Sequence, residues 1–130
     1  VRSRTSSDDV LHKLREHGLW ETKWVLVELM GKPVERSGDK QPFIVLTREG
    51  TSLNGFGGCN TILGGYTQQK GNRISFLKIV TTLRHCDAMA TEDEFLKVLR
   101  TTDNYSLKGN TLQLNRARMT PLARFQAKQE

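Results

Sequence analysis

The run Gly55-Phe56-Gly57-Gly58-Cys59-Asn60 constrains this chain more than any other. Glycines are packed tight against one of only two cysteines. The other, Cys86, closes a second distinctive run, Thr81-Thr82-Leu83-Arg84-His85-Cys86. Glycine permits positive φ and close approach of one backbone to another, so the two runs predict a crowded piece of β-structure. A bridge between Cys59 and Cys86 would close a loop over residues 60–85, worth roughly 3–4 kcal/mol in the chain-entropy description. In a reducing compartment the same pair would instead be two buried thiols. The residue pattern leaves both readings open.

The staple matters because the chain is small. Its 130 residues make about one domain, and a domain of this size buries somewhat under ~70% of the surface its unfolded form exposes. The charge balance is basic, 20 Lys+Arg against 14 Asp+Glu for a net +6. Such a charge favours acidic partners. The cations do not run together, however, so an ordinary solvated basic surface accounts for them. No apolar run reaches the ~20 residues a membrane span needs. The chain begins at Val1 rather than Met, which suggests that a preceding segment, an export signal among the candidates, has been removed.

Residues 1–18 read as a polar tail with a short helix or linker, in which Val10, Leu11 and Leu14 recur at helical spacing before Gly18. From Leu19 the pattern turns to β. Trp24–Leu29, Phe43–Thr47, Thr51–Gly55, Leu63–Gln68 and Arg73–Leu77 are aromatic, β-branched or alternating runs bounded by turn residues. Tyr105–Leu107 and Thr111–Leu114 flank Lys108-Gly109-Asn110 as a hairpin. Met119–Phe125 is a last strand, in which Pro121 argues for an edge or a bulge. One helix interrupts. Thr91-Glu92-Asp93-Glu94 has the form of a capping box, with the Thr91 hydroxyl and the Glu94 carboxylate as its reciprocal partners. Phe95 and Leu99 supply a buried stripe up to about Arg100. The expected fold is α+β: a small curved antiparallel sheet or partly open barrel of about seven strands, with the helix packed on it after strand five.

Taken together, these residues resemble the META/HslJ-like domain family over 19–128. The resemblance is carried by Leu19-Trp20, Trp24-Val25-Leu26, Pro42-Phe43-Ile44, Gly55 to Asn60, Gly65-Tyr66, Ile79 to Cys86, Glu94-Phe95 and Leu112-Gln113-Leu114. Arg84 and His85 stand where members commonly carry small or sulfur-bearing residues. The resemblance implies a small bacterial envelope protein of the periplasmic face, often lipid-anchored and associated with heat or antibiotic stress. It implies no enzymatic activity and no catalytic residues.

Chemistry read from the residues themselves points the same way. Gly55, Gly57 and Gly58 are not a phosphate cradle, because strand and turn residues follow them and no Lys appears before Lys70. Asn60 is expected to bond nearby main chain. In His85-Cys86-Asp87, adjacent side chains on extended backbone point to opposite faces and form no relay. Cys59, Cys86 and His85 lack a fourth zinc ligand. No cofactor or metal is expected. The expected function is therefore non-enzymatic binding or scaffolding of an envelope protein or lipid headgroups, with Arg116 and Arg118 as a positive rim where the strand after Leu114 leaves the barrel near Asn115. Two rivals stand beside it. One is a barrel holding an apolar ligand against Trp24, Phe43 and Phe76. The other is a basic OB-like barrel using Arg116, Arg118, Arg124, Lys128 and Phe125 on single-stranded nucleic acid, a partner the scarcity of aromatics argues against.

Overall fold

A computed structural model describes residues 18–34, 41–117 and 121–128. Residues 1–17 of the tail read at 1–18, Arg118 and the start of the last expected strand at Met119 lie outside the described residues. Among the described residues, nine strands and one α-helix follow in chain order: β1 (Trp24–Leu29), β2 (Lys32–Pro33), β3 (Phe43–Leu46), β4 (Ser52–Phe56), β5 (Thr61–Gln69), β6 (Arg73–Thr81), α1 (Met89–Thr101), β7 (Asn104–Lys108), β8 (Thr111–Asn115) and β9 (Ala123–Ala127). All ladders between these strands are antiparallel, in the order β2-β1-β3-β4-β5-β6-β7-β8-β9, and β1 also pairs with β9. The sheet thus curls into a ring with little exposed edge. Its narrowest joint is between β6 and β7, where Arg73 opposite Asn104 is the single ladder pair. The helix bridges β6 and β7 in sequence and packs against β6.

The expected α+β class and curved sheet are observed, with nine strands rather than seven and the helix after the sixth. Eight of the nine correspond to runs named above; the one that does not, β2, is two residues long. It folds back on β1 through Met30-Gly31, both at positive φ, the geometry of a tight two-residue hairpin. Such a short element carries no periodicity to read. β6 outruns its expected end at Leu77 because Lys78 adopts a left-handed conformation (φ 55°). The register against β5 shifts there, from Gly65 opposite Leu77 to Leu63 opposite Val80. This bulge inverts the alternation and hides the continuation of the strand. Pro121 lies before β9, outside the ladder, as its missing N–H requires.

Inside the ring, alternate residues of each strand meet. Trp24, Leu26, Ile44, Leu46, Leu53, Ile62, Ile74, Leu112, Leu114 and Phe125 are all buried. The helix adds Phe95, Val98 and Leu99, and the Phe95 and Phe125 rings pack 5.9 Å apart, tilted. The indole N–H of Trp24 donates to the Leu19 carbonyl at 3.0 Å, so its one polar group is satisfied. Phe43 does not line the interior. Because Ile44 and Leu46 point inward, the period of two sends Phe43 outward, where it packs on Phe56 and under the Lys23 ammonium.

Candidate functional site: the Gly55–Asn60 clamp and the groove beside it

The two distinctive sequence runs meet. Cys59 and Cys86 form a disulfide with Cα atoms 5.7 Å apart, which settles the choice left open between a bridge and two thiols. Beside it lies a polar centre on which three chain segments converge. Asn60 is buried, and its amide is fully used. Nδ2 donates to Glu92 Oε2 (2.6 Å) and to the Arg84 carbonyl (2.9 Å), while Oδ1 accepts from the Thr82 hydroxyl (2.8 Å) and the Arg84 N–H. Glu92, 1% exposed, accepts at Oε1 from the backbone N–H groups of Cys59 (2.9 Å) and Asn60 (2.6 Å). A carboxylate in the first helical turn is also favoured by the helix dipole. Buried polar groups must be paired, and here the pairing joins β4–β5, the segment after β6, and α1.

The glycines make room for this arrangement. A Cβ on Gly55 would lie 2.4 Å from the Phe43 carbonyl oxygen, and one on Gly57 would lie 2.6 Å from Glu92 Cγ. Gly55 thus lets β3 and β4 close up, and Gly57 lets the Glu92 side chain pass. Gly58 sits at φ 119° against Ala88.

The capping-box expectation is corrected. The helix starts at Met89 with Ala88 as its N-cap, and no side chain caps it. Thr91 lies within the first turn, so its hydroxyl does not cap the helix. The start is fixed by tertiary structure instead: the Met89 N–H bonds to the Cys86 carbonyl and the Glu92 N–H to the Ala88 carbonyl, so the disulfide-anchored turn launches the helix three residues early. Glu94 faces outward onto a groove. Phe95 and Leu99 are buried as expected.

That groove, about 680 Å³, lies between the β1–β2 hairpin and the first turns of α1. Leu29, Val34, Pro42, Ala88 and Ala90 give it apolar walls. Lys32 lines it from the hairpin side, and Asp87 and Glu94 from the helix side. Met30 beside it is half exposed. Sequence reading did not single out this feature, because it is assembled from elements far apart in the chain.

β8 ends at Asn115 and Arg116 is exposed. The turn that follows is held by the Asp103 carboxylate, which accepts from the Ala117 N–H (2.8 Å) and the Asn104 amide (2.6 Å). These bonds, with Arg73 and Arg116 nearby, hold the Asp103 carboxyl below its ordinary range. The charge around Arg116 is therefore mixed. Phe125, the aromatic proposed to stack nucleobases, is in the core. Arg124 pairs with Glu28 of the neighbouring strand at 3.6 Å. Among the described residues, no three His, Cys, Asp or Glu side chains gather as a metal site, and no helix is long and apolar enough to cross a membrane.

A small antiparallel ring with one buttressing helix and a stapled glycine-rich corner defines the class of domain. The META domain family matches residues 17–129, and the chain belongs to that family. Two solved structures share the fold. An NMR structure of a protein from Burkholderia xenovorans is 22% identical, with a TM-score of 0.67 over 86% of this chain and 85% of that one. A second NMR structure is 20% identical, with a TM-score of 0.64 over 81% and 87%. No curated protein matches.

Proposed function

We propose that this META domain is a non-enzymatic binding module of the bacterial cell envelope, acting on its oxidising side and in the response to heat or antibiotic stress. Its partner is an extended segment of another envelope protein, held in the groove between the β1–β2 hairpin and α1. The observation that carries the reading is that groove: apolar walls with two carboxylates, Asp87 and Glu94, on the helix side, suited to an apolar segment bearing a Lys or Arg. The disulfide supports an oxidising compartment. The absence of catalysis is part of the proposal, supported by the engagement of Cys59, Cys86, Asn60 and Glu92 in structural bonds. Binding at the groove is favoured over an apolar ligand inside the ring, because Trp24, Phe95 and Phe125 fill that interior.

Selection of a displayed peptide library on the oxidised full chain tests this. Enriched peptides should combine apolar residues with a basic one, shift the amide resonances of Met30, Ala88 and Ala90, and bind Asp87→Lys/Glu94→Lys about tenfold or more weakly. Peptides that map to another face, or that ignore the double substitution, would remove the groove from the account.

A further inference from the structure

The net charge of this chain is unevenly spread. From Gly50 to Cys86 there is no Asp or Glu, while Lys70, Arg73, Lys78 and Arg84 all lie within that stretch. The stretch forms β4, β5 and β6 and the segment that follows them, so these strands contribute cations and no acids to their wall of the ring, with Asp103 near Arg73 at its β7 end. That same wall holds three of the exposed large apolar side chains. Leu63 (48% exposed) and Val80 (59%) are direct cross-strand partners on the outer face of β5 and β6. Leu83, two residues past the end of β6, is 93% exposed. Lys78, at the bulge, and Arg84 are exposed on either side of Val80 and Leu83 in sequence.

An aliphatic side chain almost wholly in water is unfavourable by the free energy of burying it, unless a partner covers it. The type of partner follows from the chemistry. The exposed residues are aliphatic rather than aromatic, so they offer no platform for stacked bases. A second copy meeting the same face about a two-fold axis would set cations against cations. Aliphatic tips ringed by Lys and Arg match the interface of a lipid bilayer, where apolar groups enter the acyl boundary and basic groups meet phosphates.

We propose that the β4–β5–β6 wall rests on an anionic lipid bilayer, with Leu83 and the Leu63–Val80 pair entering the headgroup layer and Lys78 and Arg84 lying among lipid phosphates. The bulge at Lys78 contributes by breaking the strand's alternation, so that Lys78 and Val80 are both exposed. None of these residues lines the groove at α1, so the two surfaces are made of different side chains.

Co-sedimentation of the oxidised full chain with vesicles tests the proposal. Vesicles containing phosphatidylglycerol should bind the chain, and pure phosphatidylcholine vesicles at least tenfold more weakly. Each basic residue near an anionic surface contributes about fivefold, so Lys78→Gln/Arg84→Gln should weaken binding about 20–30-fold and flatten its salt dependence. Leu83→Ser should weaken it about tenfold with no change in melting temperature, and Arg116→Gln should leave it unaltered. Equal binding to both lipids, or full binding by Leu83→Ser, would overturn the proposal. So would a concentration-dependent dimer, seen by sedimentation without lipid, that Leu83→Ser dissociates, because the patch would then be a contact between copies.

Discussion

Replacing Glu92 by Ala probes the clamp most severely. In the folded chain its carboxylate is the acceptor for the N–H groups of Cys59 and Asn60 and for Asn60 Nδ2. Truncation leaves both backbone donors without a partner beside a buried, crowded turn. Asn60 Nδ2 retains the Arg84 carbonyl. Each orphaned buried donor costs about 1–3 kcal/mol, so the expected loss is about 2–5 kcal/mol, or about 10–20 °C in melting temperature for a domain this size. Glu92→Gln keeps one oxygen for the backbone donors but sets an NH2 group against that of Asn60. It should cost less, about 1–3 kcal/mol. Urea unfolding under oxidising conditions, with the disulfide verified by mass, measures both variants. Asn60→Ala and the double variant complete a cycle whose coupling should exceed about 1 kcal/mol. A loss below about 1 kcal/mol for Glu92→Ala, or additive effects in the cycle, would refute the view that this pair ties the three segments together.

Three further outcomes follow from the same geometry. Cys59→Ser/Cys86→Ser, which opens a connection between residues 27 apart in sequence, should lower unfolding free energy by roughly 3–4 kcal/mol, measured by denaturant titration with and without reductant. Gly55→Ala places a methyl against the Phe43 carbonyl oxygen and should destabilise by about 2–3 kcal/mol. The same exchange at exposed Gly18, which has open space around it, should be nearly neutral. Asp103 is held below its ordinary carboxylate range by the Ala117 N–H, so its contribution to stability is present above that range and disappears as pH falls through its lowered pKa. Burial raises the Tyr66 phenol, so the stability of its neutral form is complete below about pH 10 and is lost as pH rises past its folded pKa. Asp103→Asn and Tyr66→Phe should each flatten their own limb of the stability–pH curve.

Much of this fold was legible because most strands keep one face buried and alternate cleanly, as in Thr111–Asn115 and in Trp24–Leu26, before the register of β1 against β9 shifts between Leu26 and Glu28. The misreadings arose where tertiary contacts override local pattern. Thr91-Glu92-Asp93-Glu94 has the composition of a capping box, yet the disulfide-anchored turn before Met89 sets the helix start. Glu92 was legible in another way. Residues 92, 95, 96 and 99 fall on one helical stripe, and a carboxylate on the same stripe as Phe95, Leu96 and Leu99 must face inward. A buried acid needs donors, and the glycine-rich run supplies them. Phe43 was misplaced because an aromatic residue at a strand start looks like core, whereas the inward phase of β3 is set by Ile44 and Leu46. The groove had no local signal: Pro42, Ala88 and Met30 are brought together only when the ring closes. The cationic wall was hidden by counting basic residues, which are scattered, rather than noting where acidic ones are missing.

The Gly55–Asn60 run is a structural clamp, with Asn60 and the Cys59 and Asn60 N–H groups bonded inward. Native-state hydrogen exchange of the Cys59 and Asn60 amides measures this directly. Both N–H groups are held by a buried carboxylate, so in the oxidised chain they should exchange only through global or near-global opening, among the slowest in the protein. In Glu92→Ala they should exchange faster by orders of magnitude. Rapid exchange of these two amides in the unmodified chain, under conditions where the Trp24 and Leu112 amides stay protected, would contradict the claim.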